Sequence, residues 1–256
     1  MIRPLMAVLL AACAALYPQG MPAARPITVS AAISLTDVLT AVAQEYGREG
    51  RGSIRFDFGA SNVLARQITS GAPVDVFVSA DEAQMDVVAA AQLLLDGTRV
   101  DLLRNQLAIV VPSDRPRTLA GPRDLTSPAF RRIALGDPEA VPAGVYAKQY
   151  LQQLDLWTVF EAKVVPSGSV RAALAAVESG AADAAIVYRT DARIALKATV
   201  AYVVPLERGP RIVYPGAILK TSAAVDESRR FLDFLRGATA ARIFERFGFT
   251  LAAAPR

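Results

Sequence analysis

Histidine is absent from the 256 residues, and cysteine occurs once, at Cys13. The first absence removes the commonest general base and the imidazole metal ligand. The second leaves no disulfide and no thiolate site downstream of the first segment. Ser-His and Cys-His nucleophile pairs are excluded with them. The chain also has no GxSxG elbow, no P-loop, no HExxH and no serine followed three residues later by lysine. A hydrolase built on carboxylates alone is the enzyme class left standing, and an enzyme is not expected.

Long apolar runs are equally scarce. The only one opens the chain, MIRPLMAVLLAACAALYPQGMPAA. Arg3 supplies a positive start, Leu5 to Leu16 an apolar stretch too short to cross ~30 Å of hydrocarbon, and Pro22, Ala23 and Ala24 a small-residue exit. Residues 1–24 therefore read as a signal peptide, removed on export to the periplasm. Leu10-Ala11-Ala12-Cys13 is similar to a lipobox, so a lipid anchor on Cys13 is the alternative. Aromatic residues make up 7% and charged residues 20%, against 53% hydrophobic, a globular composition. The formal charge is +4. Its basic residues are scattered and form no stripe for nucleic acid.

Behind the signal, short strands alternate with helices. ITVSAA (Ile27–Ala32) reads as a strand, followed by a helix whose Leu35, Val38, Leu39, Val42 and Tyr46 share one face. A strand over Ser53–Ser61 precedes a short helix ended by Gly71. A strand over Val74–Ala80 precedes a helix from Asp81 to Leu94. A second unit starts near Asn105, with QLAIVVP, RRIALGDP, EAKVVP, AAIVYRT and AYVVP as strands. AGVYAKQYLQQL and SVRAALAAVESG are its helices. YPGAIL and two helices, Asp226–Arg236 and Ala238–Phe247, close the chain. The alternation predicts an α/β protein of two lobes, each a mostly parallel sheet flanked by helices, joined by crossing strands. Lobe I comprises residues 26–104 with 216–256, and lobe II residues 105–215.

Ligands of such sheets sit where strands end and helix N-termini converge. Four junctions here carry small residues or hydroxyls: Ser34; Ser61; Pro142, Ala143 and Gly144; and Ser169 with Val170. Each offers unpaired N–H groups and the positive end of a helix dipole, which favour an anion. Ordinary helix capping accounts for any one of them equally well. Together, two in each lobe, they point to an inter-lobe cleft for a small anion. Arg66 and Arg171 lie near these helices and are expected at the surface. Asp75 and Asp81 flank one strand and are expected to cap and be solvated.

Six segments go further: AAISLTDVL, GASNVLARQITSGAPVDVFVSAD, GDPEAVPAGVYAKQYL, SVRAALAAVESG, AAIVYRTDA and ARIFERFGFT. From about Ile27 to Thr250 the chain resembles the molybdate-binding proteins of ABC importers, of the type II periplasmic-binding fold. The resemblance implies a ligand, molybdate or tungstate, and no cofactor. It implies that the oxyanion is held by Ser34, Ser61, the N–H of Ala143, the N–H of Val170 and the hydroxyl of Tyr188. Molybdenum would be bound through hydrogen bonds to its oxygens and not by direct coordination. The implied partners are the permease subunits and ATPase of an importer, with the binding protein itself a monomer. Another tetrahedral oxyanion such as sulfate is the alternative ligand. Since no side chain of this set titrates near neutrality and none is a lysine or arginine, affinity is expected to be nearly flat from about pH 6 to 9 and to depend little on salt.

Overall fold

The computed structural model describes residues 25–253. The signal segment and Cys13 lie outside the described residues.

The chain runs β1 (Ile27–Ala32), a 3-10 turn (Ile33–Leu35), α1 (Thr36–Arg48), β2 (Ile54–Gly59), α2 (Ser61–Thr69), β3 (Val76–Val78), α3 (Glu82–Ala90) and β4 (Val100–Asn105). After one residue it continues as β5 (Leu107–Pro112), a second 3-10 turn (Pro122–Thr126), β6 (Ile133–Gly136), α4 (Pro142–Gln153), α5 (Trp157–Glu161) and β7 (Val164–Ser167). Then come α6 (Val170–Glu178), β8 (Ala184–Tyr188), α7 (Arg189–Arg193), β9 (Ala198–Val203) and β10 (Ile212–Ile218). The last elements are α8 (Val225–Leu235), α9 (Ala238–Arg246) and β11 (Thr250–Leu251).

Two sheets result. The first has the order β11-β4-β10-β3-β1-β2 and the second β7-β6-β8-β5-β9. In the first, β2, β1 and β3 run parallel; in the second, β7, β6 and β8 do. The remaining strands pair antiparallel. This is less parallel than strand-helix alternation suggests, for a topological reason. The chain leaves the first sheet through β4 and returns to it as β10, and an outgoing and a returning strand lie antiparallel when adjacent.

Burial follows from pattern. Val38, Leu39, Val42 and Tyr46 of α1 are buried together, as their spacing predicts. In β3, Val76 and Val78 join one core cluster while Phe77 points to the other, beneath α2 and α3. Alternation of side chains across a strand thus lets helices cover both faces of the first sheet.

Several elements differ from the sequence expectation. β4 was not expected, because Asp101 and Arg104 interrupt its apolar pattern; it is nonetheless an interior strand between β10 and β11. The helix expected to reach Leu94 stops at Ala90, since Gln92 adopts the left-handed conformation with φ 59°. The five-residue helices α5 and α7 are too short to show a period in sequence.

Candidate functional site

Four of the predicted positions stand at element starts and the fifth at a strand end. Ser34 lies in the 3-10 turn after β1, and Ser61 is the first residue of α2. Ala143 is the second residue of α4, behind Pro142, and Val170 is the first of α6. Tyr188 ends β8. All five line one small, nearly closed-down pocket, together with Ala32, Ile33, Gly59, Ala60, Ala80, Val141 and Pro142. Elements of both sheets contribute to it, and none of the residues lining it carries a charge.

Capping, the plain alternative for the serines, fails at two of them. The turn holding Ser34 and helix α2 have no side-chain cap. Only Ser169 caps, its hydroxyl accepting the Ala172 N–H at 3.1 Å. Ser61 Oγ instead accepts the Ala80 N–H at 2.9 Å. That bond occupies a lone pair and leaves the serine proton free to point elsewhere. Ser34 Oγ lies 3.3 Å from the hydroxyl of Tyr214.

Tyr188 gives the clearest signal. Its ring is 1% exposed, yet its hydroxyl has no hydrogen-bond partner among the described residues. A buried, unpaired hydroxyl costs roughly 1–3 kcal/mol, so a protein retains one where something else completes it. Burial raises its pKa well above the usual tyrosine value, helped by Tyr214, Tyr146 and nearby carboxylates. The group is therefore a donor throughout the neutral range.

The backbone donors are held by close packing. Gly144 sits so near the end of β6 that an added Cβ would lie 1.9 Å from the Gly136 carbonyl oxygen. Only glycine allows that approach, which seats the N-terminus of α4 against the strand end. Pro142 opens the helix without an N–H, and Ala143 follows with one of the four orphan N–H groups of a helix start. Val170 opens α6, so its N–H too is one of the orphan groups of a helix start.

The charged residues are arranged differently from expectation in part. Arg66 is exposed, as expected. Arg171 is not a free surface charge: its side chain is 23% exposed and pairs with both Asp37 of α1 and the fully buried Asp191 of α7. It lies one residue beyond Val170, so its stem turns toward the interface between the layers. Asp81 caps α3, accepting the Gln84 N–H at 2.9 Å. Asp75 accepts the Thr28 N–H at 2.8 Å and the Ser222 hydroxyl at 2.7 Å. Both aspartates are buried and not solvated. Among the described residues no group of three or more histidines, cysteines or acids is placed to hold a metal ion.

Sequence reasoning missed the residues behind Ser34. Tyr214 in β10 and Asn105 at the end of β4 are both buried, and the Asn105 amide donates to the Tyr214 hydroxyl at 3.1 Å. The available signal was modest: a tyrosine inside a fully buried strand needs a partner for its hydroxyl.

Two α/β layers enclosing a small, uncharged, donor-lined cavity define a solute-binding protein of the cleft type. The comparisons agree. The model of the family described as bacterial extracellular solute-binding protein matches residues 27–250, and the chain belongs to that family. The molybdate-binding protein ModA of Escherichia coli (strain K12) is 38% identical over 231 residues, covering 88% of this chain and 89% of that protein. The substrate-binding domain of a putative molybdenum ABC transporter from Clostridium difficile superposes with a TM-score of 0.70. It is 34% identical, covering 89% of this chain and 99% of that one. The periplasmic molybdate-binding protein of Azotobacter vinelandii shares the fold with a TM-score of 0.79 at 24% identity, covering 89% and 100%. Among the described residues no helix is long and apolar enough to cross a membrane.

Proposed function

We propose that this chain captures molybdate, with tungstate as its near-equal in size, outside the cytoplasmic membrane and delivers it to an ABC importer. Ser34, Ser61, the N–H groups of Ala143 and Val170, and Tyr188 are the ligand-binding set. The observation that carries the reading is their convergence on one uncharged cavity, with the Tyr188 hydroxyl buried and unpaired. Curated and structural relatives named for molybdate or molybdenum support it.

The chemistry is that of a dianion held by neutral donors. Hydrogen bonds to a charged group contribute roughly 1.5–3 kcal/mol each. Several of them, less the costs of ordering and closure, leave binding in the nanomolar to micromolar range, about −8 to −12 kcal/mol. The pocket lining includes no base to activate its serine hydroxyls, so binding without turnover is the function proposed. The lobes would be residues 26–104 with 216–256 and residues 105–215, with the second boundary moved back so that β10, Ile212–Ile218, stays whole in the first sheet. The protein would be exported by residues 1–24, act as a monomer, and dock on the permease subunits and ATPase of its importer.

Titration calorimetry of the mature chain with molybdate, tungstate, sulfate and phosphate tests this. Tight one-to-one binding of the first two and weak binding of the others is expected. Heat from sulfate at equal affinity would reassign the ligand, and silence with all four would reject the site.

A further inference from the structure

Behind Ser34 the donors and acceptors are ordered in one direction. The Gln106 backbone N–H, which can only donate, meets the Asn105 side-chain oxygen at 2.9 Å. That fixes which end of the amide is which, so the Asn105 NH2 must point the other way. It donates to Thr190 Oγ1 at 2.9 Å and to Tyr214 Oη at 3.1 Å. Tyr214 therefore accepts on its oxygen, and Ser34 Oγ, 3.3 Å away, is the acceptor within reach of its single proton among the described residues. Ser34 in turn accepts, and its own proton is directed to the cavity that it lines. At the last link either hydroxyl can donate, and the direction with Tyr214 donating is the one that gives the Tyr214 proton an acceptor.

We propose that Asn105 and Tyr214 are positioning residues that lock the Ser34 hydroxyl as a donor and so set the preference for a fully deprotonated oxyanion over one carrying a proton. This rests on the oxyanion reading given above and adds to it. An anion such as monohydrogen phosphate presents an O–H that needs an acceptor. Ser61 has a lone pair already engaged by the Ala80 N–H, and Tyr188 keeps its proton. With Ser34 held as a donor too, a proton on the anion faces protons on the protein, and a mismatch of buried polar groups is strongly rejected. Burial also keeps Tyr214 protonated far above neutrality, so the direction of the chain does not change with pH in the working range.

The test is the ratio of molybdate to phosphate affinity, measured by calorimetry at pH 8 in wild type and two variants with unchanged circular dichroism. Tyr214→Phe removes the proton that holds Ser34, freeing that hydroxyl to turn. The ratio should narrow by about threefold to tenfold, the effect of one neutral hydrogen bond. Asn105→Asp reverses the chain. A carboxylate there has the Gln106 N–H and the Thr190 and Tyr214 hydroxyls as donors, which favour its ionised form. Tyr214 would then donate to residue 105, Ser34 would donate to Tyr214, and a lone pair would face the ligand. The ratio should narrow by about tenfold or more, on the scale of a charge-assisted hydrogen bond lost. The added negative charge repels both dianions alike and leaves the ratio untouched. A ratio within twofold of wild type in either folded variant overturns the proposal. Wild type that binds no oxyanion overturns the functional reading itself, a separate outcome.

Discussion

Arg171 Nη2 donates to Asp37 Oδ2 across 2.7 Å, and so ties α6 of the second layer to α1 of the first. The same guanidinium contacts Asp191 through Nε. The Asp37 side chain is 44% exposed, so the pair belongs with solvent-screened ones, which contribute about 0.2–1 kcal/mol. Because it spans the layers enclosing the cavity, it favours their being together. Asp37→Asn should weaken anion binding by up to about fivefold, that same range expressed as affinity. It should also abolish a shallow decline of wild-type affinity with sodium chloride. Identical salt dependence in both proteins, measured by titration calorimetry, would refute the contribution. A shallow decline of this kind stays within the expectation that salt matters little.

Asp191 gives stability a pH dependence. Burial pushes its carboxyl up to about 7, with Arg171 pulling the other way. The native state thus holds a proton that the unfolded chain releases near pH ~4. The associated stability is full below that value and is lost as pH rises toward about 7. Urea midpoints of wild type should fall over this window relative to those of Asp191→Asn. Parallel midpoints from pH 4.5 to 7.5 would show that Asp191 does not titrate there.

Tyr188→Phe should separate binding from folding. The hydroxyl has no protein partner, so its removal should leave the ligand-free melting temperature unchanged or slightly higher. Affinity should drop about tenfold to a hundredfold, for one hydrogen bond to a charged ligand. Since its pKa is held well above the usual value, any alkaline loss of wild-type affinity should begin above pH ~10. A destabilised ligand-free variant would mean that the hydroxyl supports the fold.

Gly144→Ala should do both kinds of damage. The new methyl group meets backbone, not a side chain that can swing away. Overpacking of this kind costs about 1–3 kcal/mol, and the N-terminus of α4 must back away from β6. Lower thermal stability together with weaker anion binding is expected. Loss of stability alone would place the Ala143 N–H outside the binding set.

What could be read from sequence divides along physical lines. Helices α1 and α6 have apolar residues at clear helical spacing, and β5 and β8 are continuous apolar strands, so their nature was plain. The five site positions followed from motif and from junction chemistry. β4 was invisible because its charged residues obey a burial pattern set by β10 and β11, which are over a hundred residues away in sequence. Asn105 and Tyr214 were hidden for the same reason: they meet only through that pairing. Arg171 was misjudged because one-dimensional spacing gives its helix face but not that Asp37 stands across the interface.

Two of the five donors proposed for the ligand, at Ala143 and Val170, are main-chain groups. Their placement depends on where two helix starts lie, and at α4 that is decided by one backbone pressed on another. Side-chain identity at 143 and 170 is therefore almost silent to the ligand, limited only by the room around it. Both side chains are buried in the core, so it is packing and not the ligand that limits what these positions can carry. On the proposed reading the ligand constrains the backbone at 143 and 170, while their side chains, like the hydrogen of Gly144, answer to the packing around them.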